Sequence, residues 1–112
     1  MEKYPKIFLD HILESIEAAE GYACGVSFEE FLKSLKDQDA VIRRIEIIGE
    51  AVKNLPETLK NKYTDIPWRK IAGMRDVLVH EYFDLDIKTT WDTVQNDLPE
   101  FKKQIQKILN EL

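Results

Sequence analysis

Apolar residues recur along the chain with the three-to-four-residue period of amphipathic helices. Residues 5–22 follow this period, and Gly21 and Gly25 mark the end of the segment. A short helix is predicted next in the stretch SFEEFLKSL, because Ser27 and Glu30 have the spacing of a capping box. The chain is therefore expected to begin with a long helix followed by a short one.

A third helix is predicted over roughly residues 39–54, with Asp37 or Asp39 as its N-terminal cap. Its apolar positions share one face and are Val41, Ile42, Ile45, Ile48, Gly49 and Val52. Gly49 is expected to let another helix approach closely. Ile47 lies on the opposite side, either as an ordinary exposed residue or as part of a subunit contact.

The second half of the chain has the same pattern with clearer breaks. Pro56 begins a short helical turn, and a helix is predicted over about 67–81, ended by the segment FDLD. From Asp86 a last helix is expected, with a kink or a restart at Pro99. No alternating polar and apolar run of useful length predicts a strand. The pattern favours an all-α protein, a bundle of four main helices plus short helices.

Length and composition fit one cytoplasmic domain. The 112 residues suit a single domain over 1–112, and domains of this size often gain stability by self-association. The single cysteine, Cys24, cannot form an internal disulfide, which fits a reducing cytoplasm, and such a residue more often fills space than reacts. The sequence shows neither a signal-peptide pattern nor an apolar run that could span a membrane.

Charge is unevenly distributed. The net charge of −5, from 21 acidic and 16 basic residues, argues against a protein that coats nucleic acid non-specifically. All four arginines nevertheless lie in the middle third, while the two ends carry most of the acid. A locally basic cleft on an acidic protein is compatible with this distribution.

The stretch GMRDVLVHEYF at 73–83 contains an arginine that a purely structural helix does not explain. On an ideal helix, Arg75 falls near the centre of an apolar arc formed by Trp68, Ile71, Ala72, Leu78, Val79 and Tyr82. A guanidinium in this place is costly unless it is paired. It can pair with an internal carboxylate such as Glu46 or Glu50, reach the edge of the arc, or line a cleft that receives an anion.

His80 follows Arg75 by five residues, about 140° around a straight helix, so the two are not stacked neighbours. Asp76 shares a face with His80 and could orient its ring. Taken alone, such a histidine is more often structural than catalytic. If the two side chains act together, arginine holds a phosphate and histidine moves a proton, which suffices for RNA cleavage by the RNA's own 2′-hydroxyl.

Other candidate sites are weaker. His11, near Asp10 and Glu14, lacks the two-histidine spacing of a zinc helix and is expected on the surface. Trp68 and Trp91 are expected in the core rather than as stacking platforms for bases. The sequence has no phosphate-binding glycine loop, nucleophile elbow or Cys/His cluster, so neither a metal nor a cofactor is expected.

The arrangement Arg75-x-x-x-x-His80-x-Tyr82 resembles the signature of HEPN-domain proteins of the HepT-like kind, the toxins of bacterial and archaeal toxin–antitoxin pairs. The resemblance extends over two long blocks, AVIRRIEIIGEAVKNLPE at 40–57 and IPWRKIAGMRDVLVHEYFDLD at 66–86. It implies an all-α, up-and-down helical bundle that forms a homodimer, with the motifs of both subunits in one cleft. It also implies a metal-independent endoribonuclease toxin of a type VII-like system.

The resemblance assigns a role to each matching residue. Arg75 would hold the scissile phosphate, and His80 would act as general base or acid. Asp76 and Glu46 would support the motif, with Glu46, ahead of Glu50, as the residue that faces it from the third helix. Tyr82 matches the tyrosine that a minimal nucleotidyltransferase antitoxin modifies with AMP, which would block RNA.

Two positions depart from the pattern of many relatives. Asp76 and Glu81 stand where asparagine and glycine are common, so two carboxylates lie near a site meant for a polyanion. The alternative function is therefore a non-catalytic HEPN interaction module that binds a nucleotidyltransferase or a nucleotide. A plain helical dimerisation domain is a third, less specific interpretation.

Overall fold

The computed structural model describes residues 3–80 and 87–112, with side chains described for 5–74 and 87–112. These residues form helices, and no strand occurs among them. The helices are α1 (Lys3–Ala23), α2 (Phe28–Lys33), α3 (Leu35–Lys53), α4 (Glu57–Lys62), α5 (Trp68–His80), α6 (Ile87–Asp92) and α7 (Leu98–Glu111). The prediction of an all-α bundle, with long helices and short ones between them, is confirmed.

The central helix of the bundle is α3, which packs against both α1 and α5, while α7 packs against α1. Every member of the predicted apolar stripe on α3 is buried. Together with α1 and α7 it forms one core, whose fully buried side chains include Leu9, Ile12, Ile16, Ile45, Ile48, Phe101, Ile105 and Ile108. Each such side chain contributes about 1.5–3 kcal/mol relative to exposure, so the core dominates the stability of the fold.

The capping box predicted at the start of α2 is confirmed. The backbone N–H of Ser27 donates to Glu30 Oε1 at 2.9 Å, and the backbone N–H of Glu30 donates to Ser27 Oγ at 3.1 Å. Hydrogen bonds to the Glu30 carboxylate from the backbone of Ser27 and, second, from the Ser27 side chain lower the pKa of Glu30. The preceding turn contains Gly25, whose φ of 75° suits glycine. Cys24 is exposed in this turn, so it fills no space in the core.

The cap predicted for α3 is wrong. The helix begins at Leu35, and its cap is Ser34, whose Oγ accepts the backbone N–H of Asp37 at 3.1 Å. The predicted alternatives, Asp37 and Asp39, both lie inside the helix. Ser34 is also the C-terminal cap of α2, so a single residue serves two helices and α3 starts earlier than its apolar stripe suggests.

A buried glutamine supports this junction. The Nε2 group of Gln38 donates to the carbonyl oxygens of Phe31 and Leu32, at 2.9 and 3.1 Å. These carbonyls belong to the last turn of α2, where helical partners are missing. The carbonyl of Phe31 also accepts the backbone N–H of Ser34, so the bond to Leu32 is the one that an apolar side chain at position 38 would leave unmade.

The restart predicted at Pro99 is confirmed, because α7 begins at Leu98 with Pro99 in its first turn. The turn before it, Thr93–Asp97, is π-helical, and the backbone N–H of Leu98 donates to the carbonyl oxygen of Thr93. Proline has no N–H to donate, and a π turn shifts the bonding register just before it. The helix end predicted at FDLD lies outside the described residues.

Two leucines provide a matched test of the core. Leu98 and Leu35 are each the first residue of a long helix, but Leu98 is 0% exposed and Leu35 is 73% exposed. We expect Leu98→Ala to lower the free energy of unfolding by about 2–5 kcal/mol. The same substitution at Leu35 should change it by less than about 0.5 kcal/mol. Urea unfolding followed by circular dichroism measures both, and equal losses would contradict the assignment of the core.

Candidate functional site

The helix that carries the motif, α5, is anchored at its start by Trp68. The indole Nε1–H of Trp68 donates to the carbonyl oxygen of Tyr63 at 3.0 Å. Its ring meets Phe101 of α7 edge to face, with 6.0 Å between the ring centroids. Because the side chain is only 8% exposed, the prediction that Trp68 belongs to the core is confirmed. Trp68 thereby links α5 to the preceding loop and to α7.

Trp91 also packs inward, as predicted. It is half-buried against the core, with ring centroids 5.9 Å from Phe28 and 5.1 Å from Phe31. Both tryptophans thus contribute to packing, and Trp68 is too buried to stack on a nucleic-acid base.

A long-range contact holds the segment before α5 in place. The hydroxyl of Tyr63, just after α4, donates to Glu111 Oε1 near the end of α7. This bond, with smaller contributions from desolvation and the charge of Glu111, raises the pKa of Tyr63. The phenol must be protonated to donate, so the bond persists at neutral pH and is lost as the pH rises through the raised pKa.

The motif lies in the second half of α5. The backbone is helical through His80, so Arg75, Asp76 and His80 all occupy helical positions. Ile71, one turn before Arg75, is buried, and Ala72 is half-buried. The beginning of the predicted apolar arc is therefore confirmed.

The remaining parts of the motif stay predictions. The side chains of residues 75–80 are outside the described part of the chain, as are Glu81 and Tyr82 altogether. The structure thus places Arg75 and His80 on one helix that packs against α3, and it does not test the contacts that their side chains make.

Glu46, the residue predicted to face the motif from α3, is half-buried and lines a groove of about 290 Å³ on the outer face of that helix. Ile47 is also half-buried there, so it is less exposed than an isolated surface residue. The lining of this groove includes Phe8, Arg43, Glu46, Ile47 and Glu50. His11 is exposed at the same groove, as predicted for a surface histidine. The role of Glu46 beside the motif stays a prediction.

A second groove, of about 600 Å³, lies between α4 and the start of α5. Its charged lining residues are Lys53, Glu57, Lys60, Arg69 and Lys70. The sequence indicated an arginine-rich middle third but did not single out these lysines. The sequence does show several cations between residues 53 and 70. They form one surface only when α4 packs near the start of α5.

Two further properties concern metals and membranes. In the described ranges, His, Cys, Asp and Glu side chains form no group of three or more that could hold a metal ion. None of the helices in those ranges is both long and apolar enough to cross a membrane.

Comparison with known proteins places these features in context. A family model described as ribonuclease HepT-like matches residues 12–108. A Methanocaldococcus jannaschii protein named "Gamma-glutamylcyclotransferase and putative RNase" is 52% identical over 112 residues, which is 100% of this chain but 50% of the relative. This chain thus spans half the length of that relative.

Other relatives match along most of their length. A "Putative RNase" from Caldanaerobacter subterraneus subsp. tengcongensis is 45% identical over 107 residues, which is 96% of each chain. A Thermococcus cleftensis protein named "Probable ribonuclease HepT" is 44% identical over 108 residues, covering 96% of this chain and 98% of the relative. No solved structure gives a significant match.

Proposed function

Because the chain belongs to the HepT-like ribonuclease family, we propose that it is an endoribonuclease that cleaves RNA through Arg75 and His80. The observation that carries the proposal is the Arg75-x-x-x-x-His80 spacing on α5, inside the region that matches the family. Relatives named as ribonucleases align with almost the whole chain, which supports the same reaction class. The family resemblance seen in the sequence is confirmed.

The chemistry needs few groups, because RNA carries its own nucleophile. The 2′-oxygen attacks the adjacent phosphorus, the bond from phosphorus to the 5′-oxygen breaks, and a cyclic phosphate and a 5′-hydroxyl result. One proton leaves the 2′-hydroxyl and one reaches the departing 5′-oxygen. His80, with an ordinary pKa of about 6.5 for its residue type, is suited to exchange these protons.

Arg75 supplies the fixed charge for this reaction. Its planar guanidinium can bind two phosphate oxygens and stabilise the charge that develops on them. Asp76, next to it on α5, would orient His80, and Glu46 would support the motif from α3. Because the nucleophile comes from the substrate, the proposed mechanism is metal-independent.

The proposal includes a homodimer, because one helix alone does not bring the two motif positions together. Positions 75 and 80 differ by about 140° around α5. Two copies related by a two-fold axis supply two arginines and two histidines to one cleft, so that the charge and the proton-transfer group can come from different subunits.

We place the second subunit against the outer face of α3. Arg43 and Glu50 lie two helical turns apart on this face, with opposite charge, and Ile47 lies between them. In an antiparallel pair of α3 helices, each Arg43 would lie opposite Glu50 of the partner subunit. Phe8, half-buried, and Ile7, 45% exposed, extend the apolar part of the face from α1.

A nucleotidyltransferase is the proposed partner and antitoxin in a type VII-like toxin–antitoxin pair. It would transfer AMP to Tyr82, two residues after His80 in the sequence. The added phosphate would bring negative charge beside the cleft and repel RNA. The protein would then be a toxin only while Tyr82 is unmodified.

A non-catalytic interaction module is the second candidate function. It is favoured by Asp76 and Glu81, which add two carboxylates beside a site proposed to bind a polyanion. This module would still bind a nucleotidyltransferase or a nucleotide, but it would not cleave RNA. A nucleotidyltransferase reading frame next to this one fits both candidates and does not fit a plain dimerisation domain.

The motif variants separate the two candidates. We expect the wild-type protein to arrest growth without its partner and to cleave RNA in vitro. Arg75→Ala and His80→Ala should each slow cleavage by about 100-fold or more, because each removes a group that acts on the reacting phosphate. Lys103→Ala, which removes an exposed cation on α7, is the control. A wild-type protein that is harmless and leaves RNA intact would exclude the ribonuclease.

The modification is tested by mass spectrometry after incubation with the nucleotidyltransferase and ATP. We expect a mass increase of one AMP group on the peptide that contains Tyr82, together with loss of RNA cleavage. Tyr82→Phe should remain unmodified and resistant to neutralisation, since it lacks the acceptor oxygen. AMP found only on another residue would argue against Tyr82 as the acceptor.

A charge exchange tests the dimer face. Arg43→Glu and Glu50→Arg should each weaken self-association about tenfold or more, because each places like charges opposite one another. The double variant should recover much of the affinity, since the pairing is restored with the charges reversed. Analytical ultracentrifugation measures the association, and Lys103→Glu is the control for the change in net charge. A double variant no better than the single variants would rule out this antiparallel pairing.

A further inference from the structure

The segment from 53 to 70 is basic although the protein is acidic. It contains five of the chain's 16 cationic residues and two of its 21 acidic residues, so it is net +3 within a chain of net −5. This segment includes the end of α3, all of α4 and the first turn of α5. The cations are therefore concentrated in one region next to the motif-carrying helix.

The fold turns this segment into a groove. The groove of about 600 Å³ between α4 and α5 is lined by Lys53, Lys60, Arg69 and Lys70, and Glu57 is the acidic residue among its described lining. Asn61 and Thr64 also line it and add neutral hydrogen-bonding groups. A groove with this lining suits an anion that carries several charges.

The cations in the groove have different roles. Lys60 Nζ lies 3.5 Å from Glu57 Oε2, and its side chain is only 16% exposed, so Lys60 serves an ion pair of α4. Arg69 and Lys70 are exposed, and neither forms an ion pair with a described residue. These two adjacent residues are the groups most available to a ligand.

The groove leads along α5 towards the motif. Ala72, at its end, lies one helical turn before Arg75. On a regular helix, positions 69, 76 and 80 fall within about 40° of one another around the axis. Position 75 lies about 120° from position 69, so a strand that follows the groove stays on the side of α5 that carries positions 76 and 80, and in the proposed dimer the partner subunit can supply the arginine.

The lining also indicates which part of a nucleic acid is bound. Trp68 is buried with its Nε1–H bonded to Tyr63, so it is not available to stack on a base. Lysine and arginine side chains contact phosphates, which positions a strand without reading its bases. Binding in this groove should therefore depend on salt and little on sequence.

We propose that the groove between α4 and α5 binds the phosphates of the RNA strand next to the bond that is cut, with Arg69 and Lys70 as positioning residues. This inference rests on the proposed ribonuclease function, and it adds a substrate-binding surface outside the motif. The groove leads the strand to the position of His80, and its positive charge compensates locally for the acidic surface elsewhere.

The test uses the full chain and a fluorescein-labelled single-stranded RNA of about 12 nucleotides, long enough to occupy both the groove and the motif. We expect Arg69→Ala/Lys70→Ala to raise KM about tenfold or more while kcat changes little, because the motif itself is intact. The matched control is Lys103→Ala/Lys107→Ala, which removes two exposed cations from α7. The charge-conserving variant Arg69→Lys/Lys70→Arg should retain most of the affinity for RNA.

Salt dependence provides a second readout that a structural defect would not imitate. Removing one cation that binds a phosphate of single-stranded RNA should reduce the slope of log affinity against log salt by about 0.7, so the alanine double variant should show a slope smaller by about 1.4. Circular dichroism confirms that the variants fold. If the Arg69→Ala/Lys70→Ala variant has the same KM and the same salt slope as the wild type, the inference is overturned.

RNA binding by the His80→Ala variant shows whether this inference or the proposed function has failed. If the wild type cleaves RNA but the groove variants behave like the α7 control, only the groove inference fails. If the wild type does not cleave, but RNA binding by His80→Ala still depends on Arg69 and Lys70, the ribonuclease fails and the groove stands. If the groove variants bind RNA normally but no longer bind the nucleotidyltransferase, the groove is a protein-docking surface and the inference is overturned.

Discussion

The packing of α5 against α3 is the constraint on which the rest of the molecule depends. The stripe on α3 is buried between α1 and α5, so the motif-carrying helix must turn its apolar side towards that stripe. Trp68 fixes where α5 begins, through its bond to Tyr63 and its contact with Phe101. One side of α5 is therefore committed to the core. Arg69 and Lys70, which line the basic groove, lie off that side and are exposed.

The electrostatics of the molecule fit a local rather than a global attraction for RNA. With a net charge of −5, the whole protein does not draw a polyanion from a distance. Salt screens exposed charges beyond a Debye length of about 8 Å at physiological ionic strength, so remote carboxylates have little effect on a bound phosphate. A net positive segment beside the motif can then determine where the strand lies. The acidic remainder reduces binding elsewhere on the surface.

Features that depend on neighbouring residues were predictable from the sequence, and features that depend on distant contacts were not. The capping box of Ser27 and Glu30 and the buried stripe of α3 follow from local spacing, and both are present. Ser34 was missed because serine and aspartate cap helices about equally well, and its use depends on where α2 ends. The basic groove requires the position of α4, which is held partly by a bond between Tyr63 and Glu111, 48 residues apart in sequence. No local pattern reports such a contact.

The arrangement of carboxylates on α3 bears on how the charge of Arg75 is stabilised. The sequence left three possibilities open: an internal carboxylate, the edge of the apolar arc, or an anionic ligand. Glu46 and Glu50 were the internal candidates, and both line the outer groove of α3, which they share with Arg43. A carboxylate bound tightly to Arg75 would also compete with phosphate, since both use the same guanidinium fork. In the proposed function, the substrate phosphate binds this fork during the reaction, and the charge of Arg75 stabilises the transition state.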